Sequence, residues 1–268
     1  MNVLEQKMKF KKKISKFYKE IIFKLKKKIN LDKQILELAS LNELFNYFGT
    51  DKGTEVTNQY QKNPSKTDQK LIGHGYAQFY EKHLNIYKND KINILEIGTW
   101  KGASVAAFYH YFKNAIIFCI DKNFKFQFES NRVNFFNCDT ENFTDIKNLE
   151  KYFIEKKSES FEVIIDDGSH NYTDILNNFQ NFFKRIKPGG FYIIEDFNHY
   201  RLHSSYFNDK PDNAFDISEI FEFLLNKKNF KSEDLDHDFQ NYCFENISNI
   251  SIHKGIKDYS YIAFIKKK

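Results

Sequence analysis

From residue 89 onward, short apolar runs rich in β-branched and aromatic residues alternate with longer segments of helical spacing. The runs fall at 92–97, 116–120, 133–137, 161–165 and 191–194, and helical segments such as 104–112 and 173–186 lie between them. That alternation predicts an α/β fold in which a parallel sheet carries helices on both faces. Two later runs, 247–252 and 259–265, have no helix between them and predict a closing hairpin, which makes the sheet seven-stranded. The architecture is therefore a doubly wound, Rossmann-like sheet.

Upstream the period changes. Phe10, Ile14, Phe17, Ile21, Leu25 and Ile29 recur every three or four residues and form one helical stripe. Lysines fill the other faces. Three readings compete for this helix: an anionic membrane surface, a partner subunit, or its own domain. A second helix is predicted over 35–48, ending at Gly49. A polar loop with Gly53 and Pro64 follows, then a helix over 76–87. The chain divides into a basic amphipathic helix (1–33), a helical and loop cap region (34–88) and an α/β domain (89–268).

Charge sharpens this division. Residues 1–33 hold 12 lysines against Glu5, Glu20 and Asp32, a charge of +9, which leaves −4 on the rest of a chain whose total is +5. A mildly acidic body argues against a nucleic-acid surface spread over the fold. Cys119, Cys138 and Cys243 form no CxxC pair, so a disulfide framework is not expected and a reducing compartment is. No stretch approaches a membrane-spanning length, and the basic N-terminus lacks the apolar core of a signal peptide. A cytoplasmic protein is expected, with residues 1–33 resting on the inner membrane face as one option and homo-oligomerisation as another.

Ligands of open parallel sheets bind at the carboxyl ends of the strands, where strand order reverses. The first strand ends in Glu96-Ile97-Gly98, followed by Thr99-Trp100-Lys101-Gly102 and a helix opened by Ser104. The GxGxxG spacing of a dinucleotide site is missing. A carboxylate at the strand end repels phosphate but suits a cation, and S-adenosylmethionine (SAM) carries a sulfonium and an ammonium. Alone, this turn is an ordinary strand-to-helix junction. Asp121, at the end of the second strand, adds an acceptor for ribose hydroxyls, and Asp139, after the third, one for an adenine amino group. Glu96, Gly98, Gly102, Ser104, Asp121, Asp139 and Asp166 form the expected cofactor side.

The fourth strand ends in Asp166-Asp167-Gly168-Ser169-His170, and the fifth, after Lys187-Pro188-Gly189-Gly190, in Glu195-Asp196. In a doubly wound order these strands are neighbours, so Asp167, Glu195 and Asp196 converge. Three close carboxylates repel unless protonated or bridged by a cation. All-oxygen ligation selects Mg²⁺, or Mn²⁺ or Ca²⁺, over zinc. The competing reading makes these acids helix caps or partners of lysines. A bound metal would lower the pKa of an acceptor hydroxyl, and His170 would take its proton as general base, with Asp167 beside it.

These residues resemble class I SAM-dependent methyltransferases, and among them the metal-dependent sugar O-methyltransferases of the mycinamicin-pathway type. The resemblance spans roughly residues 47–200. It rests on Gly49-Thr50-Asp51-Lys52-Gly53, His74-Gly75-Tyr76 with Tyr80, Glu96-Ile97-Gly98, the Asp166–His170 run, and Lys187–Gly190 with Glu195-Asp196. It implies Asp167, Glu195 and Asp196 as Mg²⁺ ligands, His170 as base, and Asp51 and Lys52 near the mouth holding SAM or substrate. S-adenosylhomocysteine is the implied product. Phe197-Asn198-His199-Tyr200 departs from the family's Thr-Ser-Tyr type of run, and the basic helix has no counterpart. The acceptor expected is therefore a nucleotide-linked or polymer-linked sugar of a surface polysaccharide. Alternatives are a methyltransferase of a non-sugar hydroxyl, or a non-catalytic SAM-binding, membrane-associated assembly protein.

Overall fold

The computed structural model describes residues 3–56, 71–202 and 209–268, with side chains at 14–56, 71–201 and 209–268. Phe10 of the stripe, and Pro64 with most of the polar loop, lie outside the described side chains or residues. Seven strands form the central sheet: β1 (Asn93–Ile97), β2 (Ile116–Asp121), β3 (Val133–Asn137), β4 (Phe161–Asp166), β5 (Ile186–Glu195), β6 (Ile247–Lys254) and β7 (Tyr261–Lys267). Their order is β3-β2-β1-β4-β5-β7-β6. The first five are parallel, and β7 pairs antiparallel with both β5 and β6. The closing hairpin is thus present, and strand order reverses between β1 and β4.

Side-chain parity distributes the core. Leu95, Phe118, Ile164, Tyr192 and Ala263 face one helical layer, while Ile94, Ile117, Ile165, Ile193 and Phe264 face the other. The first layer comprises α5 (Phe143–Glu155), α6 (Tyr172–Phe182), α8 (Ile217–Leu225) and α9 (His237–Asn246). The second comprises α2 (Leu41–Phe48), α3 (Ala77–Leu84) and α4 (Ala103–Tyr111), joined by Phe23 of α1 (Val3–Leu25). A period of two along each strand places alternate residues on opposite faces. The same parity governs the polar strand ends: Glu96 and Glu195 turn toward α2 and α3, and Asp166 toward α6.

Three boundaries differ from expectation. The helix predicted over 35–48 begins only at Leu41. The Ser40 hydroxyl accepts from the Glu43 amide and the Glu43 carboxylate accepts from the Ser40 amide, a reciprocal cap that starts the helix there and leaves Ile35 exposed. The Lys187–Gly190 turn is not outside the fifth strand. β5 runs through it from Ile186, with a register shift between Phe161 and Val163 on its neighbour that accommodates the extra residues. The helix over 173–186 ends at Phe182, continued by a 3₁₀ turn over Phe183–Arg185. The short helix α7 (His199–Leu202) follows β5 directly.

Candidate active site

The crevice at the reversal point is a cleft of about 910 Å³. Gly98 closes its floor. Its φ of 85° is the left-handed region, and a Cβ would stand 2.1 Å from the Asp167 carbonyl oxygen, so only glycine lets the β1 and β4 loops pass this closely. Gly102, at φ 89°, faces Phe126, whose ring would lie 2.3 Å from a Cβ. It shapes the start of α4 and does not line the cleft.

One end of the cleft is walled by Trp100, Asp121, Asn123, Cys138 and Asp139. Asp121 accepts from the amides of Trp100 (2.8 Å) and Asn123 (2.6 Å), which fixes its carboxylate at the end of β2. The other end is walled by His74, Asp167, His170, Asp196, His199, Lys257 and Tyr259. Sequence reasoning gave no site role to His74, His199, Lys257 or Tyr259. His74 stood in the His74-Gly75-Tyr76 motif and His199 in the departing Phe197–Tyr200 run, which were the available signals. Lys257 and Tyr259 come from a distant loop that carried none.

Several of the expected cofactor residues sit beneath the wall. Glu96 is fully buried. One of its oxygens accepts from Ser104 at 2.9 Å, and Oε1 has no hydrogen-bond partner. Burial pushes its pKa up to about 7, against the opposing charge of Lys52. Asp166 faces α6, accepting from Asn178 and Tyr192 at 3.3 Å each, and burial raises it too to about 7. Its surroundings are those of a structural carboxyl.

Lys52 is buried, although it comes from an N-terminal loop. Its ammonium lies 2.5 Å from Asp167 Oδ2 and 2.7 Å from Glu195 Oε2. The second Glu195 oxygen accepts from Tyr80. Desolvation alone would lower the lysine, but Asp167, Glu195, Glu96 and Asp51 together hold it well above its ordinary value. Burial raises both Asp167 and Glu195, with Lys52 opposing. Asp51 lines the cleft, 3.9 Å from His74 Nε2.

Asp196 behaves in the opposite way. Burial works to raise it, but the hydrogen bond and charge of His74, with the charges of His170 and His199, outweigh burial and hold it well below the carboxylate range. It also accepts from Tyr76. His74 in turn meets Ser260 at 2.7 Å. His170 and Asp196 both have left-handed backbones, φ 60° and 52°, a strained geometry held by the surrounding packing. His170 Nε2 lies 3.6 Å from Asp167 Oδ1, and His199 Nε2 lies 3.4 Å from Asp196 Oδ1.

Among the described residues, the group whose ligand atoms lie within 4.8 Å of one another is His170, Asp196 and His199, a mixed nitrogen and oxygen set that suits a divalent cation. Asp167 and Glu195 are not in that group: Lys52 pairs with both, as the lysine-partner reading expected, and Asp196 faces the histidines instead. Coordination by Glu195 requires displacement of a hydrogen bond, since both of its oxygens are engaged.

This strand order, with a reversed seventh strand and an acidic crevice at the reversal, defines the class I methyltransferase fold. Residues 95–197 match the family model of a methyltransferase domain. Among curated relatives, the demethylmacrocin O-methyltransferase of Streptomyces fradiae is 28% identical over 130 residues, 46% of this chain and 32% of that protein. The mycinamicin VI 2''-O-methyltransferase of Micromonospora griseorubida is also 28% identical over 130 residues, covering 31% of its length. The match thus spans about a third of these relatives. The solved MycE methyltransferase of the mycinamycin pathway, in complex with Mg, SAH and mycinamycin VI, superposes with a TM-score of 0.59 at 20% identity, over 86% of this chain and 55% of that one.

Proposed function

We propose that the chain is a SAM-dependent O-methyltransferase that moves a methyl group to a sugar hydroxyl and releases S-adenosylhomocysteine. The observation that carries this reading is the two-ended cleft, with strand-end acids Asp121 and Asp139 at one end and a histidine–carboxylate cluster at the other. The fold and the sugar O-methyltransferase names of the relatives support it. In this reading 89–268 holds the cofactor, 34–88 caps the acceptor side, and the reaction takes place in the cytoplasm.

Asp121 receives the ribose hydroxyls and Asp139 the adenine amino group, while Gly98 admits the methionine portion over buried Glu96. That orders the sulfonium toward His170. The acceptor hydroxyl gives its proton to His170 Nε2, where Asp167 Oδ1 stabilises the imidazolium. The oxygen lone pair attacks the methyl carbon, the carbon–sulfur bond breaks, and sulfur keeps its electrons. Mg²⁺, or Mn²⁺, held by Asp167, Glu195 and Asp196, would supply a Lewis acid that lowers the hydroxyl pKa. Asp51, beside His74, borders the acceptor mouth. Lys52 holds Asp167 and Glu195 at the spacing the site needs.

The acceptor in this reading is a nucleotide-linked or polymer-linked sugar of a surface polysaccharide, with Lys257 the cation on the acceptor-end wall able to meet a phosphate. The test uses labelled SAM with a panel of free and nucleotide-linked sugars. Chelation by EDTA is expected to abolish transfer and Mg²⁺ to restore it. Transfer that persists undiminished after chelation would rule out the metal.

A further inference from the structure

The amphipathic helix α1 is docked with its apolar stripe facing away from the domain. Among the described side chains, Phe23, buried among Phe124 and Phe135, and Lys16, 2.9 Å from Asp145, anchor it to the body. Phe23 lies about two and a half turns past Ile14, so it points to the opposite side from the stripe, and Lys16 points nearly the same way as Phe23. Just past the helix, Lys28 stacks over the Phe23 ring, and Ile29 bonds through its amide to Gln127. The helix is thus fixed on its polar side. Phe17, Tyr18, Ile22 and Leu25 are left 60%, 62%, 55% and 80% exposed, beside Ile14 and Ile21.

Soluble amphipathic helices bury their apolar face on the domain they belong to. Here the domain takes the other face. Lys19 and Lys24 border the stripe on its two sides, Lys26, Lys27 and Lys28 close it, and Glu20 is the only acid between positions 14 and 28. A narrow apolar strip between rows of lysines matches the boundary between acyl chains and headgroup phosphates. No helix among the described residues is long and apolar enough to cross a membrane. We infer that α1 is a built membrane-docking surface that lies in the interface of an anionic bilayer, with Phe17, Ile22 and Leu25 inserted and Phe23 holding the domain on the water side. The loop that receives Phe23 continues from Lys122 and Asn123 of the cleft wall, so the lipid surface and the cleft are joined by one short segment. This inference stands apart from the catalytic reading.

The test is flotation of the full chain with vesicles of phosphatidylcholine alone or mixed with phosphatidylglycerol. Binding is expected only to the anionic vesicles, and it should fall as salt is raised. The combined variant Phe17→Ser, Ile22→Ser, Leu25→Ser should weaken binding about tenfold or more. Its thermal unfolding and SAM binding should match the parent, because those side chains are more than half exposed and lie on the face opposite Phe23. Absence of binding to anionic vesicles overturns the inference, and so does equal binding by the variant. A dimer that the triple variant dissolves, without vesicle binding, assigns the stripe to a second copy of the chain and also overturns it. Loss of SAM binding by the parent protein would damage the catalytic reading alone.

Discussion

The two ends of the cleft are built by different means. The cofactor end is a product of the sheet: Gly98, Asp121 and Asp139 follow directly from strand ends, and Asp121 is held by neighbouring amides within two residues of its own turn or in the adjacent one. The acceptor end is assembled by side chains reaching across the molecule. Lys52 and Tyr80 come from the region before the sheet to grip Asp167 and Glu195, and Tyr76 and His74 grip Asp196. Backbone shape serves to hold a common cofactor. A chemical step that needs several charges in one place requires them to be buried, paired and braced from outside the sheet.

The most disruptive change at the acceptor end is removal of its internal cation. Lys52→Met leaves Asp167 and Glu195 buried together without their ammonium, a loss expected at about 3–5 kcal/mol in chemical denaturation. Both carboxyls are already raised, so the deficit should shrink at acidic pH, where they protonate, and grow as pH rises through their folded values. Mg²⁺ should stabilise the variant more than the parent. A variant as stable as the parent at every pH would show that the lysine is not the brace of this end.

His170 tests the chemistry with less effect on the fold, since it is partly exposed on the cleft wall. His170→Ala is expected to lower kcat between about 100- and 10,000-fold while leaving the SAM dissociation constant unchanged. Parent-like kcat would move the base elsewhere, with His199 the next group in reach. Weakened SAM binding with intact kcat would join the two ends that the geometry separates.

How much of this was legible differs between the ends. The alternation of runs foretold all seven strands, and the strand-end positions of Asp121, Asp139, Asp167 and Asp196 placed them on the cleft wall. The side-chain direction of Asp166 was also in reach, because Ile164 and Asp166 share a strand face while Ile165 takes the other. That parity sends Asp166 toward α6. The burial of Lys52 was not legible. A lysine in a glycine-rich polar loop reads as solvated, and its partners lie 115 and 143 residues away. The helix boundary at Leu41 was written in Ser40 and Glu43, a local capping pair that outweighed the apolar residues at Ile35 and Leu36. The orientation of α1 followed from Phe23, an aromatic on the lysine side whose importance appears only once Phe124 and Phe135 are beside it.

The cofactor end holds one charge of its own beneath the wall, and its titration gives the smallest of these effects. Glu96 has a folded pKa of about 7, against an ordinary value of 4.5. Between those values the folded chain keeps a proton that the unfolded chain has released. Stability therefore falls as pH rises through that window and levels off above it. Glu96→Gln removes this group's share of the slope while leaving an amide oxygen to accept from Ser104. Asp166, raised to a similar value, contributes equally to parent and variant and cancels. Measured without SAM, the variant should gain on the parent by on the order of 3 kcal/mol between pH 4.5 and 7. Any fixed cost of the amide is the same at both ends of the scan and drops out of that difference. The same substitution should weaken SAM binding above pH 7, where the carboxylate beneath the wall is charged and attracts a cationic ligand through it, and change it little near pH 5. A difference from the parent that stays constant across the scan would mean that Glu96 is ionised throughout, and that the cofactor end, like Asp196 at the acceptor end, keeps its carboxylate charged by its partners.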